Sequence, residues 1–142
     1  ETHARVNEII YGIIRELGLL YDSSLMADDD AYELTDGGEA TGIVELPVEW
    51  IRDDAVYFPM RYTSALRPYT APSAVEEIFR AEFDGAWEEG GLYVLTMHPH
   101  VIGHRSRIAL LERLVRHMQA AGGVWFCTHE QAARWCREQA GL

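Results

Sequence analysis

The chain has 142 residues, enough for one domain with a real core and too few for two. Nearly half of them are apolar, which excludes a disordered segment. The formal charge is -11, all 12 basic residues are arginine, and no basic run occurs. This argues against nucleic acid and membrane surfaces as partners and favours a neutral sugar or small amide as substrate. Cys127 and Cys136 are too few and too far apart for a disulfide scaffold or a CxxC metal site. No apolar run reaches 18 residues and no signal peptide precedes the first helical pattern, so a cytoplasmic location is favoured. Glu1 falls directly into helical periodicity without a leader, as a piece of a longer chain would.

Val6, Ile9, Ile10, Ile13, Ile14 and Leu17 recur at helical spacing, and Gly18 supplies a stop. Residues 19–26 read as a short strand with a polar end, and the acidic, glycine-rich residues 27–42 as a surface loop. Residues 43–50 alternate as a strand, although Pro47 disfavours a central, fully paired position. Residues 51–72 lack a clear period and read as a long loop of the kind that often carries function. Ser73 with Glu76 has the spacing of a capping box, opening a helix that runs to about Glu89 before Gly90-Gly91. Residues 92–97 form a β-rich apolar run that breaks at Pro99. A helix is expected from about Arg107 to Ala121, with Ile108, Leu111, Leu114, Val115 and Met118 on one face. Gly122-Gly123, a short strand over 124–127 and a final helix capped by Thr128 and running through Arg137 complete the chain.

Helices that fall mostly between strands predict an α/β fold with a largely parallel sheet in a single domain over residues 1–142. Four strands that begin with a helix look like half of a barrel. Side chains for chemistry are expected where a strand hands over to a loop, which singles out His98. Histidine exchanges protons near neutral pH and suits general acid or base work. His98, His100 and His104 also invite a three-histidine metal site, but no carboxylate is local to them, and all three could equally be loop surface. Asp53 and Asp54 follow the second strand, where one carboxylate could orient a histidine or both could simply solvate a loop. Trp50 could stack on a sugar face. Asp22 is equally a turn residue, and Arg105 and Arg107 could hold substrate or pair with carboxylates. Ser24 lacks a GxSxG elbow, and neither glycine pair opens a helix as a phosphate loop does.

Five segments together resemble the polysaccharide deacetylase family, carbohydrate esterase family four. They are Leu-Tyr-Asp-Ser-Ser-Leu-Met (20–26), Glu-Leu-Pro-Val-Glu-Trp-Ile-Arg-Asp-Asp (45–54), Glu-Phe-Asp-Gly-Ala-Trp (82–87), Leu-Thr-Met-His-Pro-His-Val-Ile-Gly-His-Arg-Ser-Arg (95–107) and Gly-Val-Trp-Phe-Cys-Thr (123–128). The nearest branch resembles peptidoglycan deacetylases and a cofactor-independent allantoinase. The resemblance implies the carboxyl-terminal half of a distorted (β/α) barrel and hydrolysis of an N-acetyl or related amide of a carbohydrate. In that family a divalent, zinc-like metal polarises the carbonyl and activates water. The resemblance assigns His98 the general-acid role, Leu95 and Met97 the pocket wall, and Trp50 and Asp54 the groove lining and histidine tuning; Arg105 is a substrate-holding candidate on residue type alone. The motifs that carry the family's base and metal ligands are absent from these residues, so the ligands are expected outside this chain. Arg67-Pro68-Tyr69 copies the wording of a missing arginine-proline motif but stands in the wrong order. The expected partners are therefore the amino-terminal half of the same enzyme or a second copy, besides the carbohydrate. The rival functions are a cyclic amide hydrolase of the allantoinase type and a non-catalytic fragment that binds sugar or assembles.

Overall fold

The computed structural model describes residues 2–58 and 70–141. Part of the loop expected over 51–72, including Arg67-Pro68-Tyr69, lies outside the described residues. The chain divides into two compact units, Glu1–Pro47 with Phe126–Leu142, and Val48–Trp125.

The first unit opens with α1 (Thr2–Glu16), followed by β1 (Tyr21–Asp22), β2 (Tyr32–Asp36) and β3 (Glu39–Glu45). The sheet order is β1-β3-β2, with β1 parallel and β2 antiparallel to β3. A largely parallel sheet was expected; one of these two pairings is parallel. The difference arises in residues 27–42, where the expected surface loop is instead a hairpin. Asp36-Gly37-Gly38-Glu39 turns with φ of 57° and 89° at the two glycines, the left-handed geometry that a two-residue hairpin turn requires. The strand expected over 43–50 ends at Glu45, ahead of Pro47. Tyr11, Ile14, Leu34 and Ile43 form the core of this unit. Ile9 and Ile13 of α1 and Leu17 just beyond its end lie i, i+4, i+8 and are 64%, 49% and 66% exposed.

The closing helix of this unit, which spans His129–Ala140, starts as expected. Thr128 Oγ1 accepts from the Gln131 N–H (3.2 Å) and Gln131 Oε1 accepts from the Thr128 N–H (2.8 Å), a reciprocal capping box. The helix runs past Arg137 to a left-handed Gly141. Arg137 donates to the Gly42 carbonyl. Residues 124–127, expected as a strand, form none.

The second unit holds a 3-10 turn (Trp50–Arg52), α2 (Asp54–Tyr57), α3 (Pro72–Glu89), α4 (Pro99–Ile102) and α5 (Arg105–Ala121); the closing helix is α6. Helix α3 buries Val75, Phe79 and Phe83 and α5 buries Leu110, Leu114 and Met118, each set at i, i+4, i+8. These two stripes and Phe58, Val101 and Ile102 make one core. The buried stripe of α5 lies to one side of the expected one, leaving Ile108 46% exposed. The Ser73–Glu76 capping box does not form. Pro72 occupies the first turn, Ala71 is the cap residue without a side-chain bond, and the Glu76 carboxylate instead pairs with Arg80 on its own helix and Arg113 of α5. The apolar run 92–97 is not a strand among the described residues and makes a single parallel bridge, Thr96 with Asp53. β-rich composition describes how side chains fit a sheet; a ladder also needs a neighbouring strand.

Glu45 is fully buried at the end of β3. Its Oε1 accepts from the Ser24 and Leu25 N–H groups at 2.9 Å each, and Oε2 has no hydrogen-bond partner. Burial pushes this carboxyl from the ordinary 4.5 up to about 7, with Asp22 adding to the rise against the two backbone donors. Between these values the folded chain holds a proton that the unfolded chain releases, so this group's contribution to stability falls as pH rises across that window. Glu45→Gln, which retains the amide acceptor and carries no charge, should gain stability relative to the parent as pH rises from 5 to 8. Urea unfolding at several pH values measures this, and a gap independent of pH would contradict it. In the second unit, Phe79→Ala should cost about 3–5 kcal/mol by the same measurement at fixed pH, because Phe79 is wholly enclosed.

Candidate active site

The bridge between residues 53 and 96 sets the geometry. The Thr96 N–H donates to the Arg52 carbonyl at 2.8 Å and the Asp54 N–H donates to the Thr96 carbonyl at 3.2 Å. Two residues beyond Thr96, the His98 N–H lies 3.2 Å and 3.0 Å from the two Asp54 carboxylate oxygens. The His98 ring comes back to the same carboxylate, with Nδ1 2.7 Å from Asp54 Oδ1. A carboxylate only accepts, so Nδ1 carries the proton and Nε2 is left to face a reactant. Asp54 is fully buried, whereas the His98 side chain is 39% exposed. The chain beneath is locked as well. Asp53 caps α2 by accepting from the Ala55 N–H at 2.7 Å, and its Oδ1 lies 3.8 Å from His98 Nδ1. Arg52, buried under the turn, faces Glu82 of α3 at 3.6 Å.

After His98 the backbone turns at once into α4. The His98 carbonyl accepts from the Val101 and Ile102 N–H groups, and Pro99 at the first position needs no donor. Gly103 then brings its N–H onto the Pro99 carbonyl, where a Cβ would collide with that oxygen.

The hydrogen bond to Asp54 raises the His98 pKa above the ordinary histidine value, with further help from the Asp54 and Asp53 charges and against partial desolvation. The imidazolium is thereby held to higher pH. Its contribution to folding is complete below the ordinary histidine pKa and is lost as pH rises through the raised one.

Of the residues singled out in the sequence, the fold brings Asp54 and His98 into contact. Leu95 is half-buried against the core of this unit, and Met97 is 41% exposed beside His98 in the chain. Trp50 opens the 3-10 turn, 62% exposed. Arg105 is exposed at the start of α5 and belongs to no contact with the dyad among the described residues. The three histidines do not gather. The His98 and His100 rings stand edge to face at 5.8 Å, while His104 sits exposed at the cap of α5. Asp53 was one of two interchangeable acids in the sequence; its cap role, signalled by an aspartate before a short helix, separates it from Asp54. Glu82, facing Arg52, opens one of the five resembling segments (82–87) but was given no role from the sequence.

Asp53, Asp54 and His98 offer ligand atoms within 4.8 Å of one another. The donor set nevertheless fits a dyad better than a cation. The closest pair is joined by a proton at hydrogen-bond distance, both Asp54 oxygens face the His98 N–H, and Asp53 Oδ1 is committed to Ala55.

No family model and no curated protein matches the chain. Among solved structures, it is similar to a Mycobacterium smegmatis protein described as a “putative polysaccharide deacetylase”, with 35% sequence identity over 90% of this chain and a TM-score of 0.80. The chain spans 44% of that protein's length. Among the described residues, no helix is long and apolar enough to cross a membrane.

Asp54→Asn should preserve the shape of the pair and remove its charge, lowering the His98 pKa toward 6.5. An NMR titration of the histidine ring protons reads this directly. An unchanged His98 pKa would show that the contact does not tune the ring.

Proposed function

We propose that this chain supplies the proton-donating part of a hydrolase of carbon–nitrogen bonds other than peptide bonds. Its substrates are N-acetylated sugars of peptidoglycan or another polysaccharide. The observation that carries this reading is the buried Asp54 carboxylate bonded to the half-exposed His98 ring. The 35% identity to the mycobacterial protein described as a deacetylase supports it. His98 donates the proton carried on Nε2 to the amide nitrogen as the carbon–nitrogen bond breaks, so the product leaves as a neutral amine. Asp54 holds the ring in the matching tautomer and stabilises its charged form, and Leu95 and Met97 wall the acyl side. Trp50 offers an exposed indole to a sugar face, and Arg105 a surface charge near the same segment.

In this reading the chain is the carboxyl-terminal half of a distorted (β/α) barrel. A divalent metal, which would polarise the carbonyl, would be held by residues outside the chain. The rest of the enzyme, or a second copy, covers Ile9 and Ile13 of α1 and Leu17 just beyond its end.

The test is acetate release from an N-acetylated glycan by the enzyme that contains this chain. His98→Ala should lower kcat by about 10²–10⁴-fold. Asp54→Asn should move the alkaline fall in activity to lower pH, because a general acid must be protonated and the variant loses its proton sooner. Full acetate release by His98→Ala would sink the proposal.

A further inference from the structure

Beside the dyad, a cavity of about 440 Å³ is lined by Phe58, Thr70, Pro72, His100, Val101, Ser106 and Arg107. Its lining joins two cationic or N–H-donating side chains and a hydroxyl to an apolar floor. His100 stands at the boundary with the site already described, its ring 5.8 Å from that of His98. Arg107 is the distinctive member. In the same unit Arg52, Arg80, Arg113 and Arg116 each face a glutamate. Arg107 is half-buried, and no carboxylate pairs with it among the described residues; its guanidinium lies over the Phe58 ring, 5.5 Å from the centroid. Cation–π attraction to a buried ring holds the guanidinium in place while leaving N–H groups for an anion. Ser106 and Arg107 occupy the first turn of the 17-residue α5, where the helix dipole also favours negative charge. In a chain of net charge -11, an unpaired arginine at a cavity next to the candidate acid is an anion-selective feature against the overall field.

Building on the proposed deacetylase-type function, we propose that this cavity is a carboxylate subsite. Arg107 would be the counter-ion, with His100 and Ser106 as hydrogen-bond donors. The substrate is then an N-acetylated sugar that also carries a carboxylate. This reading departs from the neutral substrate expected from net charge, since local donors rather than the chain total would set recognition.

Two sugars that differ only by a carboxylate-bearing ether make the probe: N-acetylmuramic acid and N-acetylglucosamine, titrated calorimetrically into the 142-residue chain. N-acetylmuramic acid should bind at least about tenfold more tightly, as a charge-assisted pair implies, and the preference should shrink as salt rises. Arg107→Gln should reduce the preference to within about twofold, Arg107→Lys should restore part of it, and His100→Gln should weaken it. His98→Ala should leave the preference intact while lowering turnover in the assembled enzyme, so the subsite and the acid role stand or fall separately. Equal binding of the two sugars, binding of neither, or a preference that survives Arg107→Gln would overturn the subsite even if His98 proves to be the acid. Should Arg107→Gln fail to fold, the parent's discrimination and the His100→Gln measurement decide the question.

Discussion

The parallel bridge between Asp53 and Thr96 is the contact on which the second unit's chemistry depends. Two backbone hydrogen bonds place the 3-10 turn beside an extended segment more than 40 residues away in sequence, and the Asp54 side chain falls under the His98 amide. From there each step follows. The same carboxylate takes the His98 ring, the His98 carbonyl starts α4, and Gly103 lets the chain return closely enough to launch α5. A buried carboxylate is costly unless its oxygens are met by donors, and His98 meets that need for Asp54 by both backbone and ring. Structure and reactivity are therefore coupled: the bond that makes Asp54 tolerable is the bond that holds the histidine charged.

Glu45 in the first unit shows the other solution to the same problem. Its Oε1 receives two backbone donors, its Oε2 receives none, and the Asp22 carboxylate lies close enough to oppose its ionisation. Desolvation outweighs the two backbone donors, and the group retains its proton toward neutral pH. One buried acid thus raises the pKa of a neighbouring base, while the other raises its own. The environment, rather than the residue type, decides which.

The arginines divide along a similar line. Arg113 and Arg80 converge on Glu76, joining α3 to α5 in place of the capping box that Glu76 was spaced to form. A glutamate can reach either its own helix end or a partner across the core, and the cross-core pair with two guanidinium groups offers more donors than a single N–H. Arg107 lies over the Phe58 ring and, among the described residues, pairs with no glutamate, which leaves it free of the bracing role the others have. Likewise Ile9, Ile13 and Leu17 keep helical periodicity on a face that the first unit leaves open.

Helices were the most legible part of the sequence, because periodicity, glycine stops and the Thr128–Gln131 box are local properties read within a few residues. The importance of His98, and the suspicion that an aspartate near residue 54 tunes a histidine, were also present in residue types and in the resemblance those motifs carry. What was not legible depends on partners distant in the chain. The 92–97 run has strand composition and only one bridge, the 27–42 segment has loop composition and forms a hairpin, and two adjacent aspartates take different tasks. The sequence by itself determined where the four long helices lie, to within a few residues at their ends, and which side chains can carry a proton. Only the tertiary structure decided which of those side chains meet, because hydrogen-bond partners and burial are set by residues tens of positions away.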